Sequence, residues 1–144
     1  MRTIFIVDDD AVVVQVYRAK FLREGFNVEV AEDGLAAVRM LATLRPDVVV
    51  LDLMMPKLNG VDVLKYIRAN PSLKGTPVII LSNAHMSGLG QEAALLGAER
   101  AFLKSSCTPG QLLKEIVNLL SGEAPDADAS ERLAVRIPPT TPQT

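Results

Sequence analysis

The chain has one cysteine, Cys107, one histidine, His85, and few aromatic residues. A single cysteine excludes an intramolecular disulfide framework and a cysteine-based zinc site, and it suits a reducing compartment. Long hydrophobic runs are missing too. Near the amino terminus only residues 4–7 are continuously apolar before three acids follow, far short of a signal-peptide core or a membrane span. The cytoplasm is therefore the expected location. Positive charge is not concentrated anywhere: the formal net charge is -2 and the basic residues are scattered, so the footprint of a nucleic-acid-binding surface is absent. An isolated loop histidine such as His85 reads as solvent-exposed rather than as a general base.

What is present is enough for a core. With 144 residues, 49% of them hydrophobic and 22% charged, the chain can form one globular domain without staples. Residues 48–51, Val-Val-Val-Leu, are an apolar run rich in β-branched side chains and read as a strand buried on both faces. Asp52 follows at its carboxyl end, the place where open α/β sheets present ligands and chemistry. Pro56 and Gly60 then break the backbone, predicting a shaped loop and a helix from Gly60.

The same alternation runs along the whole chain. A first strand over 3–7 ends at Asp8, Asp9 and Asp10; a helix over 10–24 follows with Val14, Tyr17 and Phe21 inward, stopped by Gly25. A second strand is expected over 27–31. Its helix begins at Asp33-Gly34, has Val38, Leu41 and Ala42 inward and ends at Arg45-Pro46. The Gly60 helix extends to Ala69 with Leu64 and Ile67 inward, closed by Asn70-Pro71. A strand over 77–81 leads to Ser82 and Asn83, and a short helix is expected over 86–96, weakened by Gly88 and Gly90. A fifth strand over 99–103 leads to Lys104, and Thr108-Pro109 caps a last helix over 109–120. These repeated βαβ units predict an α/β fold, a doubly wound parallel sheet of five strands with helices on both faces. Of the common orders for such sheets, 2-1-3-4-5 is adopted. Strands one and three are then neighbours, so the acids after each converge, with Ser82 and Lys104 presented from strands four and five.

Several carboxylates packed together cannot all stay ionised without a cation. Mg2+ resolves this: it accepts about six oxygens, takes one or two carboxylates and keeps water or phosphate oxygens for the rest. Asp8, Asp9, Asp52 and the backbone carbonyl of Met54 are the candidate donors. Met54 and Met55 otherwise read as packing and backbone-geometry residues. A carboxylate is also a nucleophile toward phosphorus, and phosphoryl transfer needs positioning and charge cancellation. Lys104 would supply charge, and Ser82 a short hydroxyl for a phosphoryl oxygen.

Over roughly residues 1–121 this set resembles the receiver domain of two-component response regulators, the CheY-like family. The matching residues are Asp8-Asp9, Asp52-Leu-Met-Met-Pro with Gly60, Ser82, Gly97-Ala98 and Lys104. The resemblance implies Asp52 as phosphoacceptor, Asp8, Asp9, Asp52 and the Met54 carbonyl around Mg2+, Ser82 as switch hydroxyl and Lys104 as phosphate partner. It implies a donor, a phosphohistidine on a sensor histidine kinase or a histidine phosphotransfer protein, and a signalling role rather than that of a metabolic enzyme. Three positions depart from the family pattern. Ala101 stands where an aromatic residue is usual, with Phe102 beside it on the opposite strand face. Ser105 replaces the usual proline after the lysine, and Asn83 follows Ser82 where alanine or glycine is common. The first departure bears on how phosphorylation reaches the output surface, the second on the loop, the third on access to the phosphoryl site.

Other readings of these residues fit less well. A degenerate receiver acting as a phosphate-independent interaction module is suggested by Ala101 and Ser105, but every metal and phosphate position is filled. An aspartate-nucleophile phosphatase of the haloacid dehalogenase type would use Asp8 to Asp10, yet it lacks a late acidic pair and leaves Asp52 without a role. A flavin site would be repelled by the same acids. The last helix carries Leu112, Leu113, Ile116, Val117, Leu119 and Leu120, a stripe that a deeply buried helix explains or that forms a homodimer or partner surface with the preceding helix and fifth strand. Residues 122–144, rich in Pro, Ala, Asp, Ser and Thr, read as a linker or disordered tail, with at most one or two helical turns near 130–136. Such a segment leads to an output domain, or else output is by protein contact.

Overall fold

The short β-branched runs and helical stripes fold into alternating strands and helices in the structure, a computed structural model in which residues 2–82 and 93–122 are described. Strands β1 (Thr3–Val7), β2 (Asn27–Ala31), β3 (Val48–Leu51), β4 (Val78–Ser82) and β5 (Arg100–Leu103) form one parallel sheet in the order β2-β1-β3-β4-β5. All of β3 and β4 is buried, as continuous apolar runs require, whereas the edge strand β2 alternates exposed and partly buried residues. Helices α1 (Ala11–Arg23), α2 (Gly34–Leu41), α3 (Gly60–Ala69) and α4 (Pro109–Ser121) are the helices considered below.

Successive strand residues point to opposite faces, and the core divides accordingly. Phe5, Val49, Leu51 and Ile80 pack with Leu41 of α2 and Leu64 and Ile67 of α3. On the other face Ile4, Val50, Ile79 and Phe102 pack with Tyr17 and Phe21 of α1 and Leu112 and Ile116 of α4. The helices start where their caps dictate. Asp10 accepts from the amides of Val12 and Val13, Asp33 from Ala36, and Asn59–Asp62 and Thr108–Gln111 form capping boxes. Gly25, at φ 94°, turns the chain out of α1.

Two expected details differ. The inner face of α2 is Gly34, Ala37 and Leu41 with half-buried Val38 packed beside them, whereas Ala42, expected inward, is exposed. The helix ends at Leu41, before Arg45-Pro46, because the Arg45 guanidinium bonds the carbonyls of Leu41 and Leu44 at 2.8 and 2.9 Å and so supports a turn that the helix would otherwise occupy. In α1 the expected inward residues do face the core, Tyr17 and Phe21 fully buried and Val14 half-buried against the same cluster. Most of the helix expected over 86–96, with Gly88 and Gly90, lies outside the described residues, as do Asn83, His85 and 123–144. In the last helix Leu112, Leu113 and Ile116 are buried and Leu119 and Leu120 pack against them, so burial accounts for most of its wide apolar stripe.

Below the sheet, Arg68 of α3 donates to the carbonyls of Leu96, Gly97, Lys74 and Thr76 and pairs with Glu99, whose carboxylate in turn accepts from the amide of Val78 at the start of β4. One guanidinium thus satisfies backbone groups from the segments that lead into β4 and β5.

Gly60 links the fold to the end of β3. A side chain there would run into the Asp52 carbonyl and the Leu53 backbone, so only glycine lets α3 begin this close. Gly110, inside α4, has open space around it. Gly60→Ala is therefore expected to lower stability by about 1–3 kcal/mol, and Gly110→Ala to raise it by about 0.5–1 kcal/mol. Urea denaturation of the two variants beside the parent checks the opposite signs.

Candidate functional site

The register of the sheet builds the site. Val7 lies opposite Leu51 on adjacent parallel strands, so the next residues, Asp8 and Asp52, leave β1 and β3 side by side. From there α1 packs on one face of the sheet and α3 on the other, which makes this pair of strand ends the topological switch point. The Asp8 and Asp52 amides are held by the carbonyls of Ala31 and Val7. Both carboxylates are buried, whereas Asp9 is exposed, and one oxygen from each of the three lies within 4.8 Å of the others.

Lys104 reaches in from the end of β5. Its Nζ lies 2.8 and 3.0 Å from the two Asp8 oxygens and 3.4 Å from Asp52 Oδ2, and its side chain is nearly buried. The remaining Asp52 oxygen accepts from the amide of Met54 at 3.2 Å, and Asp8 Oδ1 also accepts from the amide of Asp10 at 2.9 Å. Ser82 ends β4 opposite Leu103; its hydroxyl is buried and has no hydrogen-bond partner among the described residues. Such an orphan is costly unless something polar arrives to meet it.

Burial pushes the Asp52 carboxyl up to about 6, helped by the charge of Asp8 and opposed by Lys104 and the Met54 amide. Burial pulls Lys104 down, but its hydrogen bond to Asp8 and the charges of Asp52 and Asp8 outweigh that, and its pKa is raised overall. Two clustered carboxylates with a single ammonium leave negative charge in excess. Three hard oxygen donors, one open to water, suit an Mg2+ ion, which keeps part of its hydration shell.

The expected residues are thus largely brought together: Asp8, Asp9, Asp52 and Lys104 in direct proximity, Ser82 at the neighbouring strand end. Met54 contributes its amide to Asp52, but its side chain is 61% exposed, so it is not a packing residue; the Asp52–amide bond turns the backbone here and leaves that side chain pointing away from the core. Met55 does pack against the core. Ala101 is buried in the α2–α3 layer and Phe102 in the α1–α4 layer, so Phe102 does not fill the place of an aromatic at 101. Lys104 continues into a 3-10 turn, Lys104–Ser106, with no cis peptide bond.

Sequence reasoning missed the support around the loop after β3. Lys57, in the left-handed region at φ 71°, pairs with Asp33 at 3.3 Å, and Gly34 lies so close to Leu58 that a side chain would collide with its carbonyl. The amino terminus of α2 therefore braces the Asp52 loop. Only the glycine at 34, directly after a capping aspartate, hinted at a close approach.

The pKa of Asp52 has a consequence for stability. The folded state holds a proton that the unfolded chain has released between pH 3.8 and about 6, so this group's contribution falls as pH rises through that window. In metal-free urea denaturation, Asp52→Asn is expected to be more stable than the parent at pH 7 by on the order of 1–2 kcal/mol and to show no gain at pH 4. An equal difference at both pH values would contradict the assignment.

Comparison with known proteins agrees with this geometry. The family model described as "Response regulator receiver domain" matches residues 4–117. The response regulator MprA of Mycobacterium bovis is 35% identical over 133 residues, covering 92% of this chain and 56% of that protein, and MprA of Mycobacterium leprae is 36% identical over 132 residues with the same coverage. The chain thus spans about half the length of the curated relatives it matches. Among solved structures, the chemotaxis response regulator CheY4 of Vibrio cholerae superposes with a TM-score of 0.75 at 28% identity, covering 83% of this chain and 98% of that one. The receiver domain of Francisella response regulator 1452 gives 0.72 at 32% identity, covering 85% and 98%. Sheet order, acidic triad and sequence likeness lead to one conclusion: the chain belongs to the response regulator receiver domain family, a signalling phosphoacceptor fold of two-component systems.

Proposed function

We propose that Asp52 is the phosphoacceptor and that residues 1–121 form the receiver unit, with 122–144 a linker or tail. The observation that carries this is the pairing of buried Asp8 and Asp52 around Lys104, beside the hydroxyl of Ser82, which has no partner among the described residues. Asp52 Oδ2 attacks the phosphorus of a phosphohistidine, the P–N bond breaks, and the imidazole leaves with a proton taken from solvent. The donor is a sensor histidine kinase or a histidine phosphotransfer protein, and the reaction takes place in the cytoplasm. Asp8, Asp9, Asp52 and the Met54 carbonyl would hold Mg2+, which when bound neutralises charge on the transferred oxygens. Lys104 lies nearer Asp8 than Asp52 in the resting site, so it can turn to a phosphoryl oxygen while Asp8 keeps its bond to the Asp10 amide. Ser82 donates its buried hydroxyl to another phosphoryl oxygen.

The output is a protein-interaction surface that changes with phosphorylation, read by a downstream protein or by an output domain. A homodimer would use the last helix, β5 and the segment before it, where Leu95 and Val117 are 84% and 47% exposed.

Intact mass after incubation with a small-molecule phosphodonor tests the central claim. One added phosphoryl group is expected on the parent with Mg2+, and none on Asp52→Asn or with chelator present. No gain, together with failure to bind beryllofluoride, would make the chain a phosphate-independent interaction module instead.

A further inference from the structure

Tyr17 and Cys107 lie 90 residues apart, yet the buried Tyr17 hydroxyl donates to the Cys107 backbone carbonyl at 2.7 Å. Cys107 is the carboxyl-terminal cap of the 3-10 turn Lys104–Ser106. The first residue of that turn is the ammonium carrier of the site. Ser105 and Ser106 are exposed, and no side-chain hydrogen bond caps the turn at its start, so it has little packing of its own. The tether joins it to α1, on the core face where Tyr17 also stacks with Phe21. Burial raises the Tyr17 pKa, so the phenol keeps the proton it donates.

The same helix governs the other half of the ion pair. Asp10, the cap of α1, gives its amide to Asp8, which is the closer partner of Lys104. One rigid element therefore positions Asp8 through its amino terminus and the Lys104 turn through its middle.

We propose that Tyr17 is a positioning residue for phosphoryl transfer: its bond to the Cys107 carbonyl holds the 104–106 turn so that Lys104 stays aimed at Asp8 and Asp52. This rests on the phosphoacceptor reading above. It assigns to a tyrosine on α1 a restraint of the loop in which Ser105 stands after the lysine.

Tyr17→Phe removes one oxygen and keeps the ring. In the full chain with Mg2+ and a small phosphodonor, the variant is expected to be phosphorylated roughly 3- to 10-fold more slowly, with Mg2+ affinity by calorimetry unchanged. In a Lys104→Ala background the same substitution should have no further effect, since the side chain it positions is gone. Amide hydrogen exchange over 104–107 should accelerate by roughly the same factor. An unchanged rate, or an equal fall in both backgrounds, overturns the proposal, the latter because it marks general loosening. A parent chain that takes no phosphoryl group defeats the phosphoacceptor reading instead, and exchange over 104–107 then decides by itself whether the tether holds the turn.

Discussion

Everything in this domain answers to two carboxylates buried at adjacent strand ends. At an effective dielectric near 20, unit charges about 4 Å apart interact by about 4 kcal/mol, so Asp8 and Asp52 are a pair that the fold must stabilise from outside. Lys104 is the partial remedy within the chain. It is itself nearly buried, and the two acids that face it outweigh the effect of burial and hold its pKa above the ordinary lysine value. The arrangement is an interdependent set of three groups, and one negative charge still lacks a counterion when Asp52 is ionised. That imbalance is the electrostatic setting that suits a hard cation beside the three acids.

The fold holds this unfavourable cluster because each member is bound at its backbone. Asp8 and Asp52 stay within the ladder through their amides, and Gly60 and Gly34 let the neighbouring helices and loop approach without side chains in the way. Arg68 gathers the carbonyls beneath β4 and β5, distant from the chemistry but upstream of the strands that deliver Ser82 and Lys104. Burial energy from the two core layers offsets the electrostatic cost; the apolar strands are the means by which polar groups are placed.

The sheet and its strand ends were largely legible in the sequence because their signals are local. The β-branched run at 48–51, the acid that closes it and the Gly60 start of α3 all appear where the pattern places them. On α2, Leu41 and Val38 meet the core as the pattern places them, but Ala42 falls outside the helix because Arg45, through bonds to two carbonyls, supports an earlier end than Pro46 suggests. Long-range polar contacts left no such trace. Nothing in a one-dimensional pattern distinguishes Tyr17 as a core residue from Tyr17 as a donor to Cys107, because an apolar stripe at helical spacing predicts only the first. Arg68 likewise reads as an ordinary helix-surface cation until the chain folds back on it.

Ala101 and Phe102 bring the two core layers into the question of switching. A side chain at 101 lies in the α2–α3 layer and one at 102 in the α1–α4 layer, so bulk has been placed on the face that carries Tyr17 and α4. Any rearrangement started at Ser82 meets only a methyl group at 101, which cannot act as a lever between alternative rotamers. Movement of Lys104, by contrast, is joined through the 104–106 turn, Cys107 and Tyr17 to α1, and Phe102 packs in the same layer. The two sides of the site therefore differ in how they join the core: Lys104 connects to α1 through a turn and a buried hydrogen bond, whereas residue 101 offers the α2–α3 layer a methyl group with no alternative rotamer.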